Sequence, residues 1–135
     1  MKSIWSKTCQ IPPRESLKGD LRTQVAVIGS GMAGILTAHS LTKAGYDVTV
    51  LEAKHMAYGQ SRNTSAKITS QHGRIYNKLI QPFGEDKTRQ YALANQEAIE
   101  QYAELIQSQH IDCNFERKDA YLYSSDKNLL TDELT

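Results

Sequence analysis

Apolar and polar positions along this chain follow two periods, and the periods locate its elements. Val25-Ala26-Val27-Ile28 is an unbroken apolar run, the mark of a strand covered on both faces of a parallel sheet. A glycine-rich turn from Gly29 to Gly34 comes next. Ile35, Leu36, Ala38 and Leu41 then recur at helical spacing, and Gly45 closes that helix. Tyr46 to Leu51 is a second β-rich run, ending on Glu52. Strand, helix and strand fill about 30 residues, the size of a βαβ unit.

The flanks are read in the same way. Residues 1–23 predict an irregular arm, with Pro12-Pro13 blocking helix and Lys18-Gly19-Asp20 favouring a turn. Trp5 in this arm is a docking anchor or, the preferred reading, a hydrophobic plug. Residues 58–74 are polar and rich in hydroxyls and amides, a disordered loop or a ligand-lining segment. Residues 86–110 give the clearest helix: Tyr91, Ala94, Ala98, Ile99, Tyr102, Leu105 and Ile106 share one apolar face. Asn114–Glu116 and Ala120–Ser124 predict a short hairpin turning at Lys118-Asp119, with Tyr121 and Tyr123 as core or, less simply, cavity-lining aromatics. An apolar pattern begins at Asn128 and stops at Thr135 without a cap. The expectation is an α/β protein: an arm over 1–23 and, over 24–135, an incomplete Rossmann-like domain begun by the βαβ unit.

Composition narrows the function. The 16 basic and 15 acidic residues are interspersed, for a net charge of +1, whereas phosphate backbones need clustered Lys and Arg; no nucleic-acid partner is expected. No apolar run approaches the roughly 18 residues of a membrane span or the core of a signal peptide. Cys9 and Cys113 lie far apart without neighbours at metal-ligand spacing. A cytoplasmic protein with reduced thiols, no metal site and a small-molecule substrate is the plain expectation. Oligomeric state is not readable.

Gly29-Ser30-Gly31-Met32-Ala33-Gly34 carries the chemistry. It follows a strand, opens a helix and precedes an acidic residue at the end of the next strand, the context a dinucleotide site requires. Gly29 allows the tight turn, Gly31 lets the main chain approach a pyrophosphate, and Gly34 with Ala38 lets the helix pack on the strand. The helix N-terminus offers N–H groups and a positive dipole end to the diphosphate. Glu52 can accept hydrogen bonds from an adenosine ribose and would repel a 2′-phosphate, disfavouring NADP. A glycine turn holding no dinucleotide is the plainer alternative. The motif alone separates FAD from NAD poorly.

The fingerprint VAVIGSGMAGILTAHSLTKAGYDVTVLEA, running through Glu52 and Ala53, and the later segment Gly59-Gln60-Ser61-Arg62-Asn63-Thr64 together resemble the FAD-dependent oxidoreductases that include the D-amino-acid, glycine and sarcosine oxidases. Asn63–Thr69 and Gln71-His72-Gly73 resemble a bacterial subgroup of that family with a C-terminal Rieske domain. The resemblance implies an FAD cofactor held by residues 29–34, by Glu52 and Ala53, and by the segment from Gly59 to Thr64 together with Lys67. It implies hydride transfer from a C–H next to nitrogen to the flavin. A Rieske [2Fe–2S] centre needs paired Cys-x-His segments, which this chain lacks; any such centre would lie beyond Thr135. The chain therefore reads as the N-terminal fragment of a flavoenzyme, inactive alone.

The resemblance implies one catalytic candidate, His72, as a group beside the flavin that could stabilise negative charge on it; a surface-loop histidine is the preferred reading. Arg62 and Lys67 divide evenly between cofactor contacts and solvated charges. Four functions stay open: an amine- or amino-acid-oxidising flavoenzyme, an NAD-dependent dehydrogenase, a non-catalytic remnant, and an electron-transfer flavoprotein partnered with a Rieske domain.

Overall fold

A computed structural model describes residues 3–123 and 125. It is a mixed α/β structure dividing into two units, Met1–Ala66 and Lys67–Thr135. Each is described by itself.

The first unit holds the expected strand, helix and strand. Strand β1 (Val25–Ile28) pairs in parallel with β2 (Val48–Leu51), with Val25 opposite Val48 and Ile28 opposite Leu51. The connecting helix, here α2, runs from Met32 to Lys43; α1 is a short helix, Trp5–Thr8, inside the arm expected to be irregular. Strand β2 starts two residues later than Tyr46, and the end of α2 explains why. Gly45 sits at φ +91°, its N–H bonds to Thr42 O (2.9 Å), and the Tyr46 N–H bonds to Leu41 O (3.1 Å). That pairing is a Schellman cap, so the Tyr46 amide belongs to the helix. The Asp47 N–H goes to the side chain of Gln24 (2.7 Å).

Helix α2 packs on the sheet through its small residues, and Ala38 is its buried one. Strand β1 departs from the expected two-sided burial. Val25 and Val27 are half-buried, whereas Ala26 and Ile28 face outward and Ile28 is 78% exposed. The parallel pair has α2 against it.

The second unit is a helical hairpin. Helix α3 spans Tyr76–Phe83 and α4 spans Glu85–Ser108, separated by Gly84 at φ +80°. Helix α3 has no counterpart in the sequence reading. In α4 Thr88 is buried and Ala92, Asn95, Ile99, Tyr102, Ala103, Leu105 and Ile106 are half-buried, a stripe that follows spacings of three and four. Of the expected face, Ile99, Tyr102, Leu105 and Ile106 are half-buried, whereas Tyr91, Ala94 and Ala98 are exposed. The Tyr91 ring still lies near Tyr76 of α3, 6.3 Å between centroids.

The hairpin expected at 114–124 is corrected. Residues 114–123 form no strand, Ser124 lies outside the described residues, and Tyr121 and Tyr123 are 85% and 89% exposed. Arg117 instead grips Glu100 of α4 with two bonds of 2.9 and 2.5 Å. An isolated two-stranded hairpin is marginal in water, and a bidentate guanidinium–carboxylate pair is directional. The pair holds this segment along the helix.

Candidate dinucleotide site

The glycine turn joins β1 to α2, and its three glycines meet three different demands. Gly29 adopts φ +96°, and its N–H extends the parallel ladder to Leu51 O (2.7 Å). Gly34 has no room for a side chain: a Cβ there would run into the carbonyl oxygen of Gly29 and lie 3.1 Å from its carbon. Gly31 is different. Its φ of −72° and ψ of 179° are open to any residue, and a Cβ would find only Ser61 Oγ at 3.5 Å. Neither the backbone angles nor the surrounding space demands glycine at 31.

Gly31 is the N-cap of α2, and the first helical bond is Ile35 N–H to Gly31 O. Met32, Ala33 and Gly34 thus contribute first-turn N–H groups, those with no intrahelical acceptor. The Met32 N–H donates to Ser61 Oγ (2.9 Å). Ser61 lies in a 3₁₀ turn, Gln60–Asn63, so the second predicted segment meets the first at the start of the helix. A hydroxyl oxygen placed there occupies a spot where an anionic oxygen would be favoured.

Glu52 closes the other side of the turn. Its Oε2 accepts the Ser30 N–H (3.0 Å) and the Ser30 hydroxyl (2.8 Å), and its Oε1 accepts the Lys54 N–H (2.9 Å). Ser30 is 1% exposed. The Ser30 N–H first, then the Lys54 N–H and the Ser30 hydroxyl, hold the Glu52 pKa down to about 2 from 4.5. A carboxylate that accepts several N–H bonds stays ionised. A ribose would meet a charged acceptor already oriented. The loop after β2 also returns to the turn, with Ala57 N–H donating to Ser30 O (3.1 Å). The sequence motif assigns Ser30 to the cofactor; its tie to Glu52 emerges only from the fold.

The depressed pKa has a consequence for stability. A folded-state pKa below the unfolded value stabilises the fold above the unfolded pKa, and that contribution is lost as pH falls. Glu52→Gln should therefore be less stable than the parent at neutral pH, with the difference closing between about pH 4.5 and pH 2. Urea unfolding across that range checks it. A difference that stays constant down to pH 2 would contradict it.

The remaining candidates spread out. Arg62 places its guanidinium 3.8 Å from the centre of the Tyr58 ring, a cation–π contact. Asn63 Nδ2 donates to Gly59 O (3.1 Å) within its own turn, and the Thr64 hydroxyl donates to Ser61 O (3.5 Å). Gln60 and Ala53 are exposed. Lys67 and His72 belong to the second unit; Lys67 is exposed, and His72 is exposed too. His72 Nε2 lies 3.4 Å from Asn95 Oδ1 of α4. Cys9 and Cys113 are free and exposed, and no cluster able to hold a metal occurs among the described residues. No helix of the described chain is long and apolar enough to cross a membrane.

First-turn N–H groups, an open approach at Gly31 and an ionised acceptor at Glu52 fit a dinucleotide diphosphate and its ribose. Family comparison agrees: the model for FAD dependent oxidoreductases (DAO) matches residues 24–134. The chain belongs to this FAD-dependent oxidoreductase family. Among curated relatives, "Putative Rieske 2Fe-2S iron-sulfur protein YhfW" of Bacillus subtilis is 37% identical over 127 residues, covering 94% of this chain and 25% of the relative. Gamma-glutamylputrescine oxidoreductase of Escherichia coli is 29% identical, covering 88% of this chain and 28% of that protein. "Probable oxidoreductase OrdL" of Haemophilus influenzae is 26% identical, with 89% and 27% covered. The chain thus spans about a quarter of the length of these relatives. No solved structure matches it.

Proposed function

We propose that this chain is the FAD-binding N-terminal part of a flavin-dependent oxidoreductase acting on an amine or amino acid, with residues 1–23 as an arm and the cofactor domain starting at 24. The observation that carries the reading is the convergence of the glycine turn, Glu52 and Ser61 at the start of α2. In this reading the N–H groups of the α2 first turn and the Ser61 hydroxyl hold the diphosphate, and Glu52 takes the ribose hydroxyls. Gly59 and the 3₁₀ turn form the adjoining wall. FAD supplies a two-electron acceptor for the hydride leaving a C–H beside nitrogen, which turns the amine into an imine. The protein's own part is to bind and orient. His72 stays a surface histidine here.

The amine class rests on the likeness to gamma-glutamylputrescine oxidoreductase. The likeness to YhfW favours a second reading, in which electrons pass from the flavin to a Rieske centre in another segment or partner. One experiment separates these readings. The full-length protein is purified, its chromophore is released by heat and identified by mass, and the protein is then mixed with polyamines and amino acids without oxygen. Bound FAD that bleaches with an amine is the expected result. A colourless protein that binds NAD tightly would overturn the assignment. Bleaching slower than turnover, with an iron–sulfur signal in the reduced protein, would favour the electron-transfer reading.

A further inference from the structure

The 3₁₀ turn that brings Ser61 to α2 is four residues long, and so short a 3₁₀ piece has little stability of its own. The bonds from Asn63 to Gly59 and from Thr64 to Ser61 are local. Beside the Met32–Ser61 bond and the Arg62–Tyr58 contact, two ties come from the far end of the unit. The Trp5 indole N–H donates to Thr64 O (2.8 Å), and the Ser3 hydroxyl donates to Arg62 O, each across 59 residues of sequence. These two carbonyls flank Asn63. The arm is itself braced, since Ser3 Oγ accepts the Trp5 N–H (3.3 Å) and the Thr8 hydroxyl bonds back to Ile4 O (3.1 Å).

We propose that Trp5, assisted by Ser3, is a positioning residue for cofactor binding: the N-terminal arm clamps the Gln60–Asn63 turn so that Ser61 stays at the N-terminus of α2. This rests on the flavin reading above. The clamp works through the backbone of residues 62 and 64 and touches no cofactor atom. Its chemistry is specific, because an indole has a single N–H donor and no acceptor. Replacing Trp5 by Phe keeps an aromatic ring and removes the donor. The turn then loses one anchor and samples arrangements in which Ser61 leaves Met32. The binding-competent fraction falls, and apparent affinity falls with it.

The test uses the full-length protein stripped of flavin, with Trp5→Phe and Ser3→Ala variants. Two quantities are read: FAD affinity by flavin fluorescence, and the rate at which trypsin cuts after Arg62 in the flavin-free protein. Loss of one hydrogen bond should weaken FAD binding roughly 3- to 10-fold and speed cleavage after Arg62, with the melting temperature unchanged. A merely structural tryptophan would shift melting without selecting that bond for cleavage. Ser3→Ala leaves the indole in place and repeats the test if the aromatic change disturbs folding. If the parent holds FAD and both variants match it in affinity and in cleavage, the clamp is wrong. A parent that takes up no FAD would instead sink the flavin reading, and the clamp's role in binding with it.

Discussion

Gly31→Val should leave the protein folded and strip it of FAD. The backbone at 31 is extended rather than left-handed, and a Cβ there meets only Ser61 Oγ at ordinary contact distance. The fold therefore loses little beyond the difference between glycine and a poorer N-cap, about 1 kcal/mol. A ligand loses far more. The branched side chain would stand where a diphosphate reaches the first turn of α2 and would push it off the N–H groups. Each hydrogen bond to a charged group is worth about 1.5–3 kcal/mol, so losing two weakens binding by roughly a hundredfold to ten-thousandfold. Flavin content of the purified variant, read beside its circular dichroism, checks both halves. Equal flavin in the variant and the parent would refute the placement of the diphosphate. Glu52→Gln should reduce flavin content less, since the amide still offers one acceptor oxygen.

The parts of this molecule legible in sequence are those that local chemistry decides. A strand, a left-handed glycine and a helix start lie within ten residues of Val25, and each is dictated by near neighbours. The period of α4 is visible too: Ile99, Tyr102, Leu105 and Ile106 of its apolar face are covered, and the first two turns of that face, at Tyr91, Ala94 and Ala98, are exposed. Helix α3 is hidden by its own composition. Pro82 and Gly84 both read as breakers, although Pro82 sits near the C-terminal end of the helix and Gly84 ends it at φ +80°. The hairpin fails for the opposite reason: residues 114–123 have strand-like composition but pair with no strand among the described residues of their unit, while Arg117 has Glu100 within reach. Glu52 is singled out by its distance from the glycines. The serine that fixes its carboxylate is legible only as a cofactor residue, because a Ser between two glycines gives no sign of where its hydroxyl turns. Contacts across 59 residues, such as Trp5 to Thr64, leave no periodic trace at all.

Gly34→Ala should be the most damaging single-methyl change in the first unit. The added Cβ would overlap the Gly29 carbonyl, sit 3.1 Å from its carbon and 3.5 Å from Val27 Cγ1. None of these can move aside cheaply. Gly29 is held at a positive φ and bonded to Leu51 in the ladder, and Val27 lies inside β1. The helix must instead lift from the sheet, which uncovers Ala38 and the half-buried Leu41 on the same side. Overpacking of this kind costs about 1–3 kcal/mol and occasionally more; with backbone as the obstacle, the upper end is expected. Gly29→Ala has free space around its Cβ but a left-handed φ, a strain of about 1–2 kcal/mol. Gly31→Ala has neither problem. The expected order of destabilisation is therefore 34, then 29, then 31, measured by urea unfolding of the flavin-free protein so that cofactor loss does not contribute. An order that put 31 first would mean that its backbone, rather than a ligand, is what requires the missing side chain.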